Sequence, residues 1–180
     1  MKGASLSWSL MSNDSLSTNA GQNSCVLLKT HSLVTPRRWD LAVKKRFFDH
    51  CLRGGDPDAK RIYAWHIERR CAPRFERGLP MDIWKWSVDD YVAAAEILFA
   101  SMAHDGFSPQ HPIPVDPDGE LLGGAHRVAC ALALGIEEVP VVRKEQRAWA
   151  PPWGYEWFRA NGMAQSDLER LSQDFASLKP

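Results

Sequence analysis

"ELLGGAHRVACALALG", residues 120–135, carries an apolar strand end into Gly123-Gly124 and then directly into an alanine-rich helix that Gly135 stops. The first turn of a helix exposes backbone N–H groups with no intrahelical acceptor, and paired glycines let an anion approach them closely. Gly123, Gly124 and Ala125 would form such a cradle. Arg127 offers a planar fork of donors suited to phosphate oxygens, and His126 adds a donor or a proton shuttle. A structural alternative is a tight glycine turn with Arg127 paired to an upstream acid.

Outward from this stretch the elements follow in a definite order. "HPIPV" and "ELLG" read as short strands joined by the turn "DPDG", and "EEVPVVRK" reads as another strand after Gly135. Upstream, "SVDDYVAAAEILFASMAHDG" predicts a core helix: Ser87 and Asp90 form a capping-box start, apolar residues recur at helical spacing, and Gly106 ends it. "MDIWKW" is rich in aromatic residues and predicts a strand before that helix. Two further helices are expected, one over Trp39–Arg53 and one from about Pro57, with Asp56 as its N-cap, to before Pro73. "CVLLKTHSLV" reads as a first short strand. The tail holds an aromatic segment, "WAPPWGYEWF", expected as a lid on the core, and an amphipathic helix, "QSDLERLSQDFASL".

This order resembles that of the ParB/sulfiredoxin superfamily. There a "P-I-x-V" strand, a β-turn, an apolar strand running into a Gly-x-H-R type loop, an alanine-rich helix and an "x-V-P-V" strand follow one another, and here residues 79–144 match. The resemblance implies a small mixed sheet with packed helices, and nucleotide phosphate bound at the loop and helix start. It also narrows the chemistry. Ala125 stands where sulfiredoxins have a cysteine, His126 where the DNA-partition proteins have a glutamate, and Gly123 where serine-kinase-like members have an aspartate. No helix-turn-helix pattern follows the matching region.

The expectation is therefore an α+β protein with a disordered leader over 1–23, a helical N-terminal extension over 24–78, a ParB/sulfiredoxin-like core over 79–144 and an aromatic and helical C-terminal extension over 145–180. The leader assignment rests on seven serines and three asparagines among residues 5–24. The function implied is a nucleotide-dependent phosphotransferase acting on a small hydroxylated acceptor such as an amino acid or a sugar. ATP or ADP is the expected nucleotide, with CTP as an alternative, together with Mg²⁺. A non-catalytic nucleotide-binding module is the second reading, and a ParB-like nuclease or DNA-binding protein a third.

Phosphoryl transfer needs cations and a carboxylate or histidine near the moving group, and residues at element ends are the candidates. Catalytic candidates are His126, Asp82 and His66; Lys85 joins Gly123–Arg127 as a phosphate contact, and Asp116 is the candidate metal ligand. Asp89 and Asp90 read as first-turn acids and Asp118 as a turn former. His66 sits between Trp65 and Ile67 and shares a helix face with Arg70.

Composition sets the outer bounds. Lys plus Arg and Asp plus Glu balance at 22 each, which disfavours nucleic acid as a partner. Charge is uneven along the chain, however: residues 37–77 hold twelve basic against six acidic residues, and residues 81–120 hold Lys85 against eight acids. Whether these segments pair within one chain or across a homodimer is open at this level. The four cysteines form no metal or disulfide pattern, and no export or membrane-spanning segment is visible, so a cytoplasmic protein with reduced thiols is expected.

Overall fold

Ser87 opens the longest helix by accepting a hydrogen bond from the Asp90 N–H at 3.2 Å, while an Asp90 carboxylate oxygen accepts from the Ser87 N–H at 2.9 Å. This is the expected capping box, and the helix ends at Gly106, whose φ of 77° suits glycine. The structure, a computed structural model, describes residues 25–71, 77–78, 83–148 and 153–178. The expected 1–23 leader lies outside the described residues.

In chain order the elements are β1 (Cys25–Lys29), a 3₁₀ turn (Thr30–Leu33), α1 (Asp40–Arg53), α2 (Ala59–Cys71), β2 (Arg77–Gly78), β3 (Ile83–Trp84), α3 (Val88–Asp105), β4 (Ile113–Val115), α4 (Ala125–Ala133), β5 (Glu138–Arg143), α5 (Tyr155–Ala160) and α6 (Gln165–Ser177). The main sheet has the order β1-β5-β4. β5 runs antiparallel to β1, with Leu27 opposite Pro140, and parallel to β4, with Ile113 opposite Val141. Parallel neighbours need a crossover, and α4 supplies it. The protein is thus mixed α+β, with six α-helices and a three-stranded mixed sheet among the described residues.

Burial explains the arrangement. β5 is buried through Val139, Val141 and Val142, and α4 buries Val128, Ala129, Cys130, Ala131 and Ala133, so apolar residues occupy most of its circumference. Its small alanines let α1 pack close against it, and α3 and the 3₁₀ turn complete its surroundings. The 24–78 segment, expected as an extension, contributes the edge strand β1 and the helix α1, so it shares one hydrophobic cluster with the crossover unit.

One strand expectation is corrected, and a second is met over a shorter span. In "ELLG" only Leu121 pairs, as a single bridge to Val115, because the chain turns out at Gly123-Gly124 before a ladder can extend. In "MDIWKW" the described strand residues are Ile83–Trp84, and they pair with β2 in a separate ribbon rather than joining the main sheet. The helix expected from Pro57 begins at Ala59; Asp56 still organises its approach by accepting from the Asp58 N–H at 3.1 Å.

The basic stripe pairs within the chain. Arg61 grips Asp167 of α6 through two bonds of 2.9 and 3.0 Å, Arg46 reaches Asp56 at 2.6 Å and Asp174 at 3.1 Å, and Arg170 reaches Asp58 at 2.8 Å. Trp39 stacks on Phe175 at 4.9 Å, which closes α6 onto α1. Among the described residues no helix is long and apolar enough to cross a membrane.

Candidate functional site

The start of α4 is built around Gly124. Its φ is 77° and ψ 14°, and a Cβ there would stand 2.7 Å from Ile113 Cδ1 and 3.0 Å from Arg127 Nη2, so the position favours glycine. The first intrahelical bond runs from the Val128 N–H to the Gly124 carbonyl at 3.0 Å. The N–H groups of Ala125, His126 and Arg127 therefore have no intrahelical acceptor, and the positive end of the helix dipole lies with them. Gly123 is less constrained: a Cβ there would meet Pro114 Cγ at an ordinary 3.5 Å.

Consecutive residues on a helix diverge, and His126 and Arg127 serve different surroundings. Arg127 folds back beside Gly124, donates to the His111 carbonyl, and holds its guanidinium carbon 5.9 Å from the Phe107 ring centre. Burial lowers its pKa. It forms no ion pair among the described residues, so the acid-paired alternative has no counterpart there.

His126 turns toward the helices. Its Nε2 lies 2.8 Å from the Tyr63 hydroxyl, and that oxygen lies 3.3 Å from the Tyr91 carbonyl. Tyr63 is fully buried and stacks on Phe47 at 4.5 Å, which fixes the hydroxyl in place. Burial, together with the charges of Lys44, Arg70 and Lys85, holds His126 well below the usual histidine pKa. At neutral pH it is an uncharged imidazole among cations.

Lys44 and Arg70 belong to a centre that also holds Arg38 and Asp40, between α1, α2 and Trp153. Asp40, at the first turn of α1, accepts from Arg38 Nε at 2.8 Å and Nη2 at 2.9 Å, and from Lys44 Nζ at 2.6 Å. Asp40 and Lys44 are both buried. Burial drives the Asp40 carboxyl upward, but Lys44 and Arg38 outweigh it and hold it well below the usual carboxylate range. Burial lowers Lys44 to about 8 despite Asp40. Arg38 also donates to the Leu121 carbonyl at 3.3 Å, which ties the centre to the loop ahead of Gly123. The Trp153 ring lies 5.6 Å from the Arg38 guanidinium carbon and 5.0 Å from that of Arg70.

His66 completes the centre from α2. It is fully buried, stacked on Phe158 at 5.5 Å and edge-on to Trp157 at 5.8 Å, and neither ring nitrogen has a hydrogen-bond partner. Burial first, then Lys44, keeps its pKa well below the usual value. Lys85 stands with its Nζ 4.9 Å from the Tyr91 ring centre, and its charge bears on His126.

The structure thus brings His126, His66 and Lys85 into one electrostatic neighbourhood, and Asp82 lies outside the described residues. Asp116 does something else. Its Oδ1 accepts from the N–H groups of Asp118 and Glu120 at 2.9 Å each, and its Oδ2 from that of Ala148 at 3.1 Å. Burial, the largest single effect, pushes its pKa up, but these bonds together outweigh it, lower the pKa and make Asp116 the organiser of the turn. Among the described residues no group of three or more His, Cys, Asp and Glu side chains is placed to hold a metal ion. Sequence reasoning missed Arg38, Asp40 and Lys44. The available signal was the i,i+4 spacing of Asp40 and Lys44, with Lys44 falling between Phe47 and Phe48 on the helix circumference.

No family model, curated protein or solved structure matches this chain.

Proposed function

We propose that the chain is a nucleotide-dependent phosphotransferase with a ParB/sulfiredoxin-like core, acting on a small hydroxylated acceptor. The observation that carries this reading is the open first turn of α4, entered through a left-handed position that favours glycine and flanked by an uncharged His126 among Lys44, Arg70 and Lys85. Free N–H groups and nearby cations suit the phosphates of ATP or another nucleotide. Mg²⁺ would arrive on those phosphates, since the described residues offer no protein cage, and it would offset charge on the transferred group.

In the step proposed, the acceptor oxygen forms a bond to the γ-phosphorus while the bond from that phosphorus to the β,γ-bridging oxygen breaks, its electron pair leaving on the nucleoside diphosphate. The hydroxyl proton passes to His126. With Tyr63 donating to the Tyr91 carbonyl, its oxygen accepts Nε2–H, and Nδ1 carries the lone pair that takes the proton.

The bonds that fix Asp116 in its turn favour a second reading, a module that binds nucleotide without turnover. A thermal-shift screen of ATP, ADP, CTP and GTP with Mg²⁺, on wild type and Arg127→Ala, is the test. A ligand selective for the folded state raises stability by RT ln(1 + [L]/Kd). Stabilisation by a nucleotide, reduced in Arg127→Ala, supports nucleotide binding, and ADP release with an amino-acid or sugar acceptor supports transfer. No shift with any nucleotide overturns both readings.

A further inference from the structure

We infer that the buried floor of this site, His66 with Lys44 and Arg38, seats an oxyanion, a carboxylate or phosphate carried by the acceptor. The acceptor assignment rests on the phosphotransferase reading; the anion seat itself does not. The starting point is His66, whose two ring nitrogens are buried without a hydrogen-bond partner in a class of atom that is almost always satisfied.

The surroundings say what kind of group would satisfy it. The charges that bear on His66 are those of Lys44, Asp40, Arg70 and Arg38. Among the described residues Asp40 is the one carboxylate acting on His66 itself, with Glu120 acting on Arg38, and both Asp40 oxygens are already engaged, Oδ1 by Arg38 and Oδ2 by Arg38 and Lys44. The imidazole therefore faces groups that donate, and its own N–H lacks an acceptor. A water molecule would supply hydrogen bonds but no charge. An oxyanion supplies acceptor oxygens and a counter-charge where one buried carboxylate already faces two buried cations, Arg38 and Lys44.

The walls suit a small ligand anchored by its anionic end. Phe158 and Trp157 pack against His66, while Trp153 lies against both Arg38 and Arg70. Exposure is graded. His126, Lys85 and Arg70 are half-buried and form the approach, whereas Lys44 and His66 are closed from solvent and form the floor. His66 and Lys44 act electrostatically on His126, so a hydroxyl on a molecule seated there belongs on the His126 side of α4, and Arg127 is turned toward His111.

The test uses the full chain without nucleotide, titrated separately with inorganic phosphate and with acetate. Ring ¹⁵N shifts of the six histidines are followed, and His66→Phe assigns the His66 signals. The expected result is a saturable shift of the His66 nitrogens. The arm that produces it identifies phosphate or carboxylate as the preferred group. Affinity should fall about tenfold or more in Lys44→Met and hold within about twofold in Arg53→Ala, an exposed cation in the last turn of α1. Should Lys44→Met fail to fold, His66→Phe, which keeps the aromatic packing, must lose the same anion affinity by calorimetry. His66 signals unmoved by both anions, or anion affinity unchanged in these variants, overturn the seat. Nucleotide stabilisation that persists alongside an unresponsive His66 removes the seat alone. A responsive His66 without nucleotide stabilisation removes the phosphotransferase reading and keeps the seat.

Discussion

Lys44 Nζ lies 2.6 Å from Asp40 Oδ2 one helical turn away, with neither side chain more than 1% exposed. Taking one charge from a buried pair leaves the other uncompensated, so the two partners differ in what their loss does. Asp40→Ala strands both Arg38 and Lys44 and is expected to cost about 3–5 kcal/mol of folding stability. Lys44→Met leaves Asp40 held by both Arg38 bonds and should cost less than about 2 kcal/mol. Urea unfolding of the two variants checks the ranking, and a larger loss in Lys44→Met would refute it.

The same lysine predicts an alkaline signature. Burial lowers Lys44 from 10.5 to about 8, so between those values the unfolded chain keeps a proton that the folded chain has released. Its contribution to stability is fully present above 10.5 and is lost as pH falls through about 8, and stability therefore rises with pH in this window. Cys130, pushed up to about 12 by burial, has the opposite sign, as do Cys51 and Tyr63. The Lys44 part is isolated by subtracting the Lys44→Met profile. The difference should slope upward from pH 8 to 10, by at most on the order of 1 kcal/mol per pH unit; a flat difference would place Lys44 near its ordinary pKa.

What the sequence discloses here follows from how local each signal is. α3 is legible end to end because Ser87, Asp90 and Gly106 act within one or two turns of themselves. The β4–turn–α4–β5 order is legible because proline and glycine punctuate it, and His66 is partly legible from its place between Trp65 and Ile67. The over-reading of "ELLG" has a non-local cause. Alternation marks a segment able to pair, but Leu121 finds only Val115 before the chain leaves for α4. The centre itself is the hardest part to read. A lysine is the residue least expected in a core, and what buries Lys44 is a carboxylate on its own helix combined with packing from distant segments. The pairing of Arg46 with Asp174 and of Arg61 with Asp167 spans more than a hundred residues, which no local pattern encodes.

Adjacent glycines in the loop should respond differently. Gly124→Ala forces an L-residue to a φ of 77° and drives its Cβ to 2.7 Å from Ile113 Cδ1, with Arg127 Nη2 at 3.0 Å. Strain and displacement together predict a loss of about 1–3 kcal/mol. Gly123→Ala places its Cβ 3.5 Å from Pro114 Cγ, an ordinary contact, and should stay within about 0.5 kcal/mol of wild type. Thermal unfolding of the two proteins decides it. Equal effects would mean that Ile113 and Arg127 yield readily and that the loop does not depend on a glycine at Gly124.

His66 supplies the acid counterpart. Its folded pKa lies well below 6.5, with burial as the main cause and Lys44 next, so its contribution to stability is present above 6.5 and is lost as pH falls toward the folded value. His66→Phe removes the titration together with two buried nitrogens that lack partners, and the new ring keeps the contacts with Phe158 and Trp157. Replacing an unsatisfied buried polar group by an apolar one of similar shape is near neutral or stabilising, so the variant should match or exceed wild type at pH 7. Its advantage should then widen as pH falls from 6.5 to 5, by up to on the order of 1 kcal/mol per pH unit. Asp40 and His126 also lose stability on acidification, but both remain in the variant and cancel in the comparison. Urea midpoints in bis-tris and piperazine buffers, free of phosphate and carboxylate, give the profile. A His66→Phe protein less stable than wild type at pH 7 would mean that the imidazole nitrogens are satisfied in solution, and it would remove the starting point for the anion seat.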